Sequence, residues 1–161
     1  MKWEMVTGRA RIIAPPHLVW QWVAHPRSWM SWIPKIDDVV PYTLDPPGPG
    51  WRFRIAYRMA KLPRLAEAEL VAFEPGLRLV CRTSGGDLKP GGEILETYTL
   101  QADEDTTVLT HAVDLSHSRM PLFARAAAVI LNGMFNGNAR LGHVANLKQL
   151  IEDGVAPPKA G

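Results

Sequence analysis

Cysteine is nearly absent from this 161-residue chain: Cys81 stands alone, so no intramolecular disulfide is available and a reducing compartment is expected. Charge of one sign is not in excess. Eighteen Lys and Arg stand against sixteen Asp and Glu, a formal +2, without the basic patch that nucleic acid selects. The longest apolar stretch, residues 120–135, is interrupted by Arg125 and falls short of the ~20 residues that a bilayer span needs. The N-terminus has no apolar run followed by a small-residue cleavage site, so no secretory leader is expected. Gly-x-Ser-x-Gly, Walker, Gly-x-Gly-x-x-Gly, Cys-x-x-Cys and His-Glu-x-x-His motifs are missing, and the histidines are not at metal-ligand spacing. The expectation is a cytoplasmic protein with no cofactor or metal, no nucleic-acid partner and no stable membrane insertion. A homodimer is left open. Tryptophan is missing too, but only after position 51: Trp3, Trp20, Trp22, Trp29, Trp32 and Trp51 all lie in the first third. Large aromatics build cores and line pockets, so this third is expected to do one or both.

What remains is an ordinary globular composition, 47% hydrophobic and 21% charged, at a length that one core accommodates. Residues 2–13 read as a strand stopped by Ala14-Pro15-Pro16. Two prolines suit the first turn of a helix, which does not use their missing N–H groups. That helix is expected to end at His25-Pro26, because the residue before a proline avoids helical backbone. A second short turn, 28–32, closes at Pro34. Residues 51–59 alternate, with Trp51, Phe53, Ile55, Tyr57 and Met59 on one face and Arg52, Arg54, Ala56 and Arg58 on the other. Further strands at 36–43, 65–73, 77–84, 93–100 and 106–115 are joined by short turn-rich links, which implies antiparallel hairpins. Residues 121–153 carry apolar side chains at helical spacing and predict one long helix. Gly133, Gly137 and Gly142 within it mark a kink or a close approach.

This order resembles the helix-grip superfamily of START domains, birch-pollen-allergen-like proteins and the polyketide cyclase/dehydrase group (SRPBCC). The residues that carry the resemblance are Ala14-Pro15-Pro16-x-x-Val19-Trp20, Trp29-x-x-Trp32-x-Pro34, Gly50-x-x-Phe53, Glu74-Pro75-Gly76, Thr107-x-Leu109-Thr110-His111 and Leu147-x-x-Leu150-Ile151. They span nearly the whole chain. The resemblance implies an α+β helix-grip fold: a seven-stranded curved antiparallel sheet wrapped around a long C-terminal helix, with two short helices after the first strand. It implies one ligand-binding domain over residues 1–153, a tail at 154–161, and a hydrophobic or aromatic small molecule held between sheet and helix. Polyketide cyclase/dehydratase-like activity, a non-catalytic lipid or quinone carrier, and a protein-interaction module are the functions it allows. The sequence leans away from an enzyme.

Alternation sends Phe53, Ile55, Tyr57, Ala66, Ala68, Leu70, Ala72, Leu79, Cys81, Thr83, Ile94, Glu96, Tyr98, Leu100, Leu109, His111, Val113 and Leu115 to the concave face. The alanines facing helix glycines leave room for a cavity, unless Leu70, Phe123 and Ile130 fill it. If Gln101 pairs with Thr106, Glu96 lies opposite His111, ~5 Å apart at Cβ. A carboxylate beside an imidazole fixes its tautomer and raises its basicity, so His111 and Glu96 are the candidate catalytic pair. The same pattern suits a satisfied structural pair, and a one-residue slip would turn both outward. Trp51, Phe53, Ile55, Tyr57, Tyr98, Leu109, Met134 and Leu141 are the candidate ligand-binding residues. Trp29 and Trp32 either anchor the short helices or cover the cavity mouth. Asp37 and Asp38 read as solvated. Arginines 52, 54, 58, 78 and 82 alternate with Glu67 and Glu69 on the outer face. Only Arg140 points toward the helix side, a departure from the inward arginine that the resemblance implies for cyclases.

Overall fold

The two prolines after the first strand do what their chemistry requires. β1 (Glu4–Ile12) ends, Pro15 caps and Pro16 opens α1 (Pro16–Val23), and neither lacks a hydrogen bond there. His25 takes extended backbone, φ −115° and ψ 98°, before Pro26 starts a 3₁₀ segment, Pro26–Ser31. The computed structural model describes residues 3–44, 46–135, 142–157 and 159. The remaining strands are β2 (Ile36–Pro41), β3 (Arg52–Met59), β4 (Leu62–Glu74), β5 (Arg78–Gly85), β6 (Glu93–Asp103) and β7 (Thr106–Asp114). They form one antiparallel sheet in the order β1-β7-β6-β5-β4-β3-β2, the seven-stranded curved sheet of a helix-grip fold. Two helices follow, α2 (Leu122–Phe135) and α3 (Val144–Glu152). Among the described residues no helix is long and apolar enough to cross a membrane.

The sheet's concave face meets α1, the 3₁₀ segment and α3. Val19, Val23, Trp32, Phe53, Leu70, Leu79, Tyr98, Leu109 and Leu147 are almost wholly buried there. Trp29 donates its indole N–H to Val23 O at 3.1 Å and packs edge-on against Phe53, which ties the 3₁₀ segment to the sheet. Trp20 meets Phe73 edge-to-face, with centroids 5.1 Å apart. The outer face carries the expected charge rows. Arg82 bonds Glu69 at 2.9 Å, and Arg58 bonds Asp37 at 2.7 Å, both substantially exposed.

Three expectations change. The last hairpin pairs Asp103 with Thr106 and Gln101 with Val108, not Gln101 with Thr106. Glu104 adopts a left-handed φ of 53°, so a two-residue turn closes the hairpin and each strand continues further. Tyr98, not Glu96, therefore lies opposite His111. The shift is two residues, so every side chain keeps its face. Secondly, a bulge at Val71 breaks parity in β4: Leu70 pairs with Cys81, but Ala72 pairs with Val80. Ala72 thereby joins the convex face and Phe73 turns inward. Thirdly, the C-terminal helix is not continuous, because Gly142 and His143 are non-helical before α3 begins. A Cβ at Gly142 would lie 2.8 Å from Thr7 O and 2.9 Å from Gly8 Cα, so the chain bends there to touch β1. Gly137, Arg140 and Leu141 lie outside the described residues. Phe123 and Ile130 are mostly exposed and do not fill the concave side.

Two variants probe these features. The β3–β4 turn places Ala60 and Lys61 at φ 49° and 66°, backbone that suits Asn-Gly. Replacing the pair with Asn-Gly is expected to add about 1 kcal/mol of stability, read as a higher urea midpoint at unchanged m. Gly142→Ala, which forces a methyl onto the β1 backbone, is expected to cost about 1–3 kcal/mol in the same measurement.

Candidate functional site

Between the sheet and the short helices lies a cavity of about 130 Å³. Its walls are Trp29 and Ile33 from the 3₁₀ segment and its end, Ile36 from β2, and Ile55, Ala66 and Ile94 from the sheet. Ala66 lies opposite Gly85, so two adjacent strands present almost no side chain at this point and leave space. Polar groups enter from three sides: Glu96 from β6, His143 from the start of α3, and Lys35 ahead of β2. At the rim, Tyr57 donates to Asp87 at 3.1 Å, and Asp87 also pairs with Arg64 at 2.5 Å.

Behind Glu96 runs a connected polar chain. Glu96 Oε2 lies 3.2 Å from His111 Nε2, and His111 Nδ1 meets the Thr7 hydroxyl. Thr7 reaches the ring because β1 carries a bulge: Val6 pairs with Ala112 and Gly8 with His111, which leaves Thr7 as the extra residue. The Tyr98 ring stacks on His111 with centroids 4.5 Å apart, and its hydroxyl lies 2.8 Å from His143 Nε2. A buried hydroxyl hydrogen needs an acceptor, so Tyr98 donates and His143 keeps its proton on Nδ1. Asn146, in the first turn of α3, donates to Trp32 O at 3.1 Å and holds that helix start against the 3₁₀ segment.

The environment moves these groups in a consistent way. Burial pushes the Glu96 carboxyl up, but the hydrogen bond and charge of His111, with lesser pulls from Lys35 and His143, prevail and hold it at about 2. Glu96 is therefore an anion that only accepts, and His111 Nε2 carries the proton between them. Burial, aided by His111 and Lys35 and opposed by Glu96, lowers His143 to about 3. Burial and the Glu96 charge push both the Tyr98 hydroxyl and the Cys81 thiol up.

Of the residues singled out in the sequence, Glu96, Ile55 and Tyr57 line the cavity. His111 is 3% exposed and stands behind Glu96 with both ring nitrogens engaged. Trp51, Phe53, Tyr98 and Leu109 are buried core side chains that do not line the cavity, and Met134 is exposed on α2. Leu141 lies outside the described residues. Sequence reading gives no sign of Lys35, Thr7 or His143 in the site. It offers Trp29 as an anchor or a cover for the cavity mouth, and Trp29 serves both as an anchor and as a wall. His143 was hidden in the apolar helical stripe, and Thr7 by a bulge that alternation cannot show.

The family model for polyketide cyclase / dehydrase and lipid transport matches residues 5–152. The chain belongs to this family. No curated protein matches it in sequence. A START superfamily protein from Mycobacterium smegmatis shares the fold at a TM-score of 0.69 and 13% identity, over 93% of this chain and 97% of that one. Ginseng major latex-like protein 151 from Panax ginseng gives 0.63 at 11% identity, over 91% and 95%. A protein of the dynemicin biosynthetic locus gives 0.63 at 22% identity, over 94% of this chain and 48% of that one. These identities carry the fold alone. As a member of the polyketide cyclase / dehydrase and lipid transport family, the chain is a START-like ligand-binding domain.

For this member of the family the buried polar chain sets an acid sensitivity. The unfolded chain protonates His143 below about pH 6.5, whereas the folded protein resists until about pH 3. Glu96 behaves alike between its ordinary 4.5 and about 2. In both windows the unfolded state binds more protons, so stability is present above the window and lost as pH falls through it. Urea midpoints are expected to decline from pH 6.5 downward. His143→Gln should flatten the upper part of that decline and Glu96→Gln the lower part.

Proposed function

We propose that this domain binds one apolar, ring-sized molecule in the Trp29–Ile55–Glu96 cavity and acts as a carrier or receptor rather than as a catalyst. The observation that carries this reading is a cavity with predominantly hydrophobic walls and a carboxylate at its edge. Its volume, about 130 Å³, is close to the ~150 Å³ that holds a benzene in an engineered core. Ile55 and Tyr57 act as walls, while Trp51, Phe53, Tyr98 and Leu109 belong to the core. Catalysis is disfavoured by proton affinity. A general acid or base works best near the ambient pH, yet Glu96 and His143 are held near 2 and 3 and Cys81 is pushed up.

A second reading, cyclisation or dehydration of a polyketide-like substrate, draws on the Glu96–His111 pair at the cavity wall. There Glu96 would touch the substrate and His111 would position it. Carriage of a lipid or quinone is a variant of the first reading, with a ring as the part that enters.

Toluene is the simplest probe of the cavity. Calorimetry with the whole chain is expected to show binding, with quenching of Trp29 fluorescence. Ala66→Leu, which places three further carbons in the cavity, should weaken toluene at least about tenfold while the circular dichroism spectrum is unchanged. Absence of toluene binding, together with no co-purifying molecule in native mass spectrometry, would refute the cavity reading. Turnover of a polyketide-like substrate that Glu96→Gln abolishes would favour the second reading.

A further inference from the structure

We infer that the cavity selects a neutral single-ring ligand bearing a hydroxyl group, and that the Glu96 oxygen not used by His111 is the atom that receives its hydrogen. This rests on the binding reading above and adds the chemical class of the ligand.

Glu96 Oε2 is held by His111 Nε2, whereas Oε1 takes no hydrogen bond from any described residue. Glu96 nevertheless lines a cavity whose other walls are mostly hydrocarbon and indole. The Glu96 side chain keeps 20% of its surface accessible, and an anionic acceptor open to a space with mostly apolar walls favours a ligand that brings a donor. A ligand hydroxyl supplies the missing donor through a charge-assisted bond, about twice as strong as a neutral one. An ether of the same shape has no hydrogen to give. A carboxylate ligand would set two anions side by side in a poorly solvated site. An ammonium ligand is opposed by Lys35, which lines the same cavity, and by the proton that His111 already presents to Glu96. The volume of about 130 Å³ accommodates one ring.

The test compares p-cresol, its methyl ether and p-toluate by calorimetry at neutral pH on the whole chain. Expected is p-cresol binding at least about tenfold tighter than the ether, with p-toluate weaker than both. Glu96→Gln should bring p-cresol and the ether within about threefold of each other. Should that variant fail to fold, the three-ligand comparison in the unaltered protein decides. Equal binding of p-cresol and its ether, or tightest binding of p-toluate, would overturn the inference while leaving the cavity reading intact. If none of the three binds, the cavity reading itself falls, and the inference with it.

Discussion

Two glycines hold this site together. Gly8 in β1 and Gly142 ahead of α3 meet at backbone distance: a Cβ on Gly8 would lie 3.3 Å from Gly142 Cα, and one on Gly142 would lie 2.8 Å from Thr7 O. No larger residue allows this approach without shifting strand or helix. Thr7, the bulged residue, immediately precedes the first glycine, and His143 immediately follows the second. The contact therefore fixes, in one step, the hydroxyl on one side of His111 and the imidazole that meets Tyr98. His111 and His143 end with ring centroids 4.5 Å apart, although they come from a central strand and a helix start.

From that contact outward, a chain of polar groups runs through the fold, with one Glu96 oxygen left over. Thr7 holds His111, His111 holds Glu96, and Tyr98 stacks on His111 while bonding His143. A buried network whose members are satisfied is rigid, because breaking any bond strands a group away from water. Rigidity keeps the Glu96 carboxylate at the cavity wall. With Oε2 held by His111, Glu96 cannot turn aside to find another donor without giving up the bond that keeps it ionised. The ion pairs of the outer face contribute far less, because Arg58, Asp37 and Arg82 remain in contact with water.

Much of this was legible in the residues. Strict alternation in 51–59 and the paired prolines at 15 and 16 point to the sheet and the first helix. Even the wrong hairpin register preserved the Glu96–His111 neighbourhood, since an error of two residues leaves both side chains on their face and still in reach. What could not be read were the places where period two fails. A bulge adds one residue without a compositional mark, so alternation alone puts Ala72 on the wrong face and gives no sign of Thr7. His143 was invisible for a different reason. Position 143 sits inside a pattern of helical apolar spacing, and only the backbone contact of the preceding glycine shows that the helix restarts there. The tryptophan cluster lay between these cases: its place near the pocket was apparent, but Trp29's double service as anchor and wall needed three dimensions.

Proton affinity decides what such a network is good for. A base must give up and regain a proton during reaction, and its usefulness falls as its pKa moves away from the surroundings. Here the same contacts that make Glu96 a fixed anion, namely the His111 hydrogen bond and the nearby positive charge, also make it a poor proton carrier. Burial, aided by His111 and Lys35, likewise lowers His143. The arrangement thus sacrifices acid–base reactivity for a permanently ionised acceptor at a fixed position beside an apolar space. A catalyst of polyketide chemistry would need one of these groups returned toward neutrality, by loosening the Glu96–His111 bond or by opening His143 to water. Either change would disturb the histidines that lie beside the Gly8–Gly142 contact, and this is the physical ground of the proposed binding role.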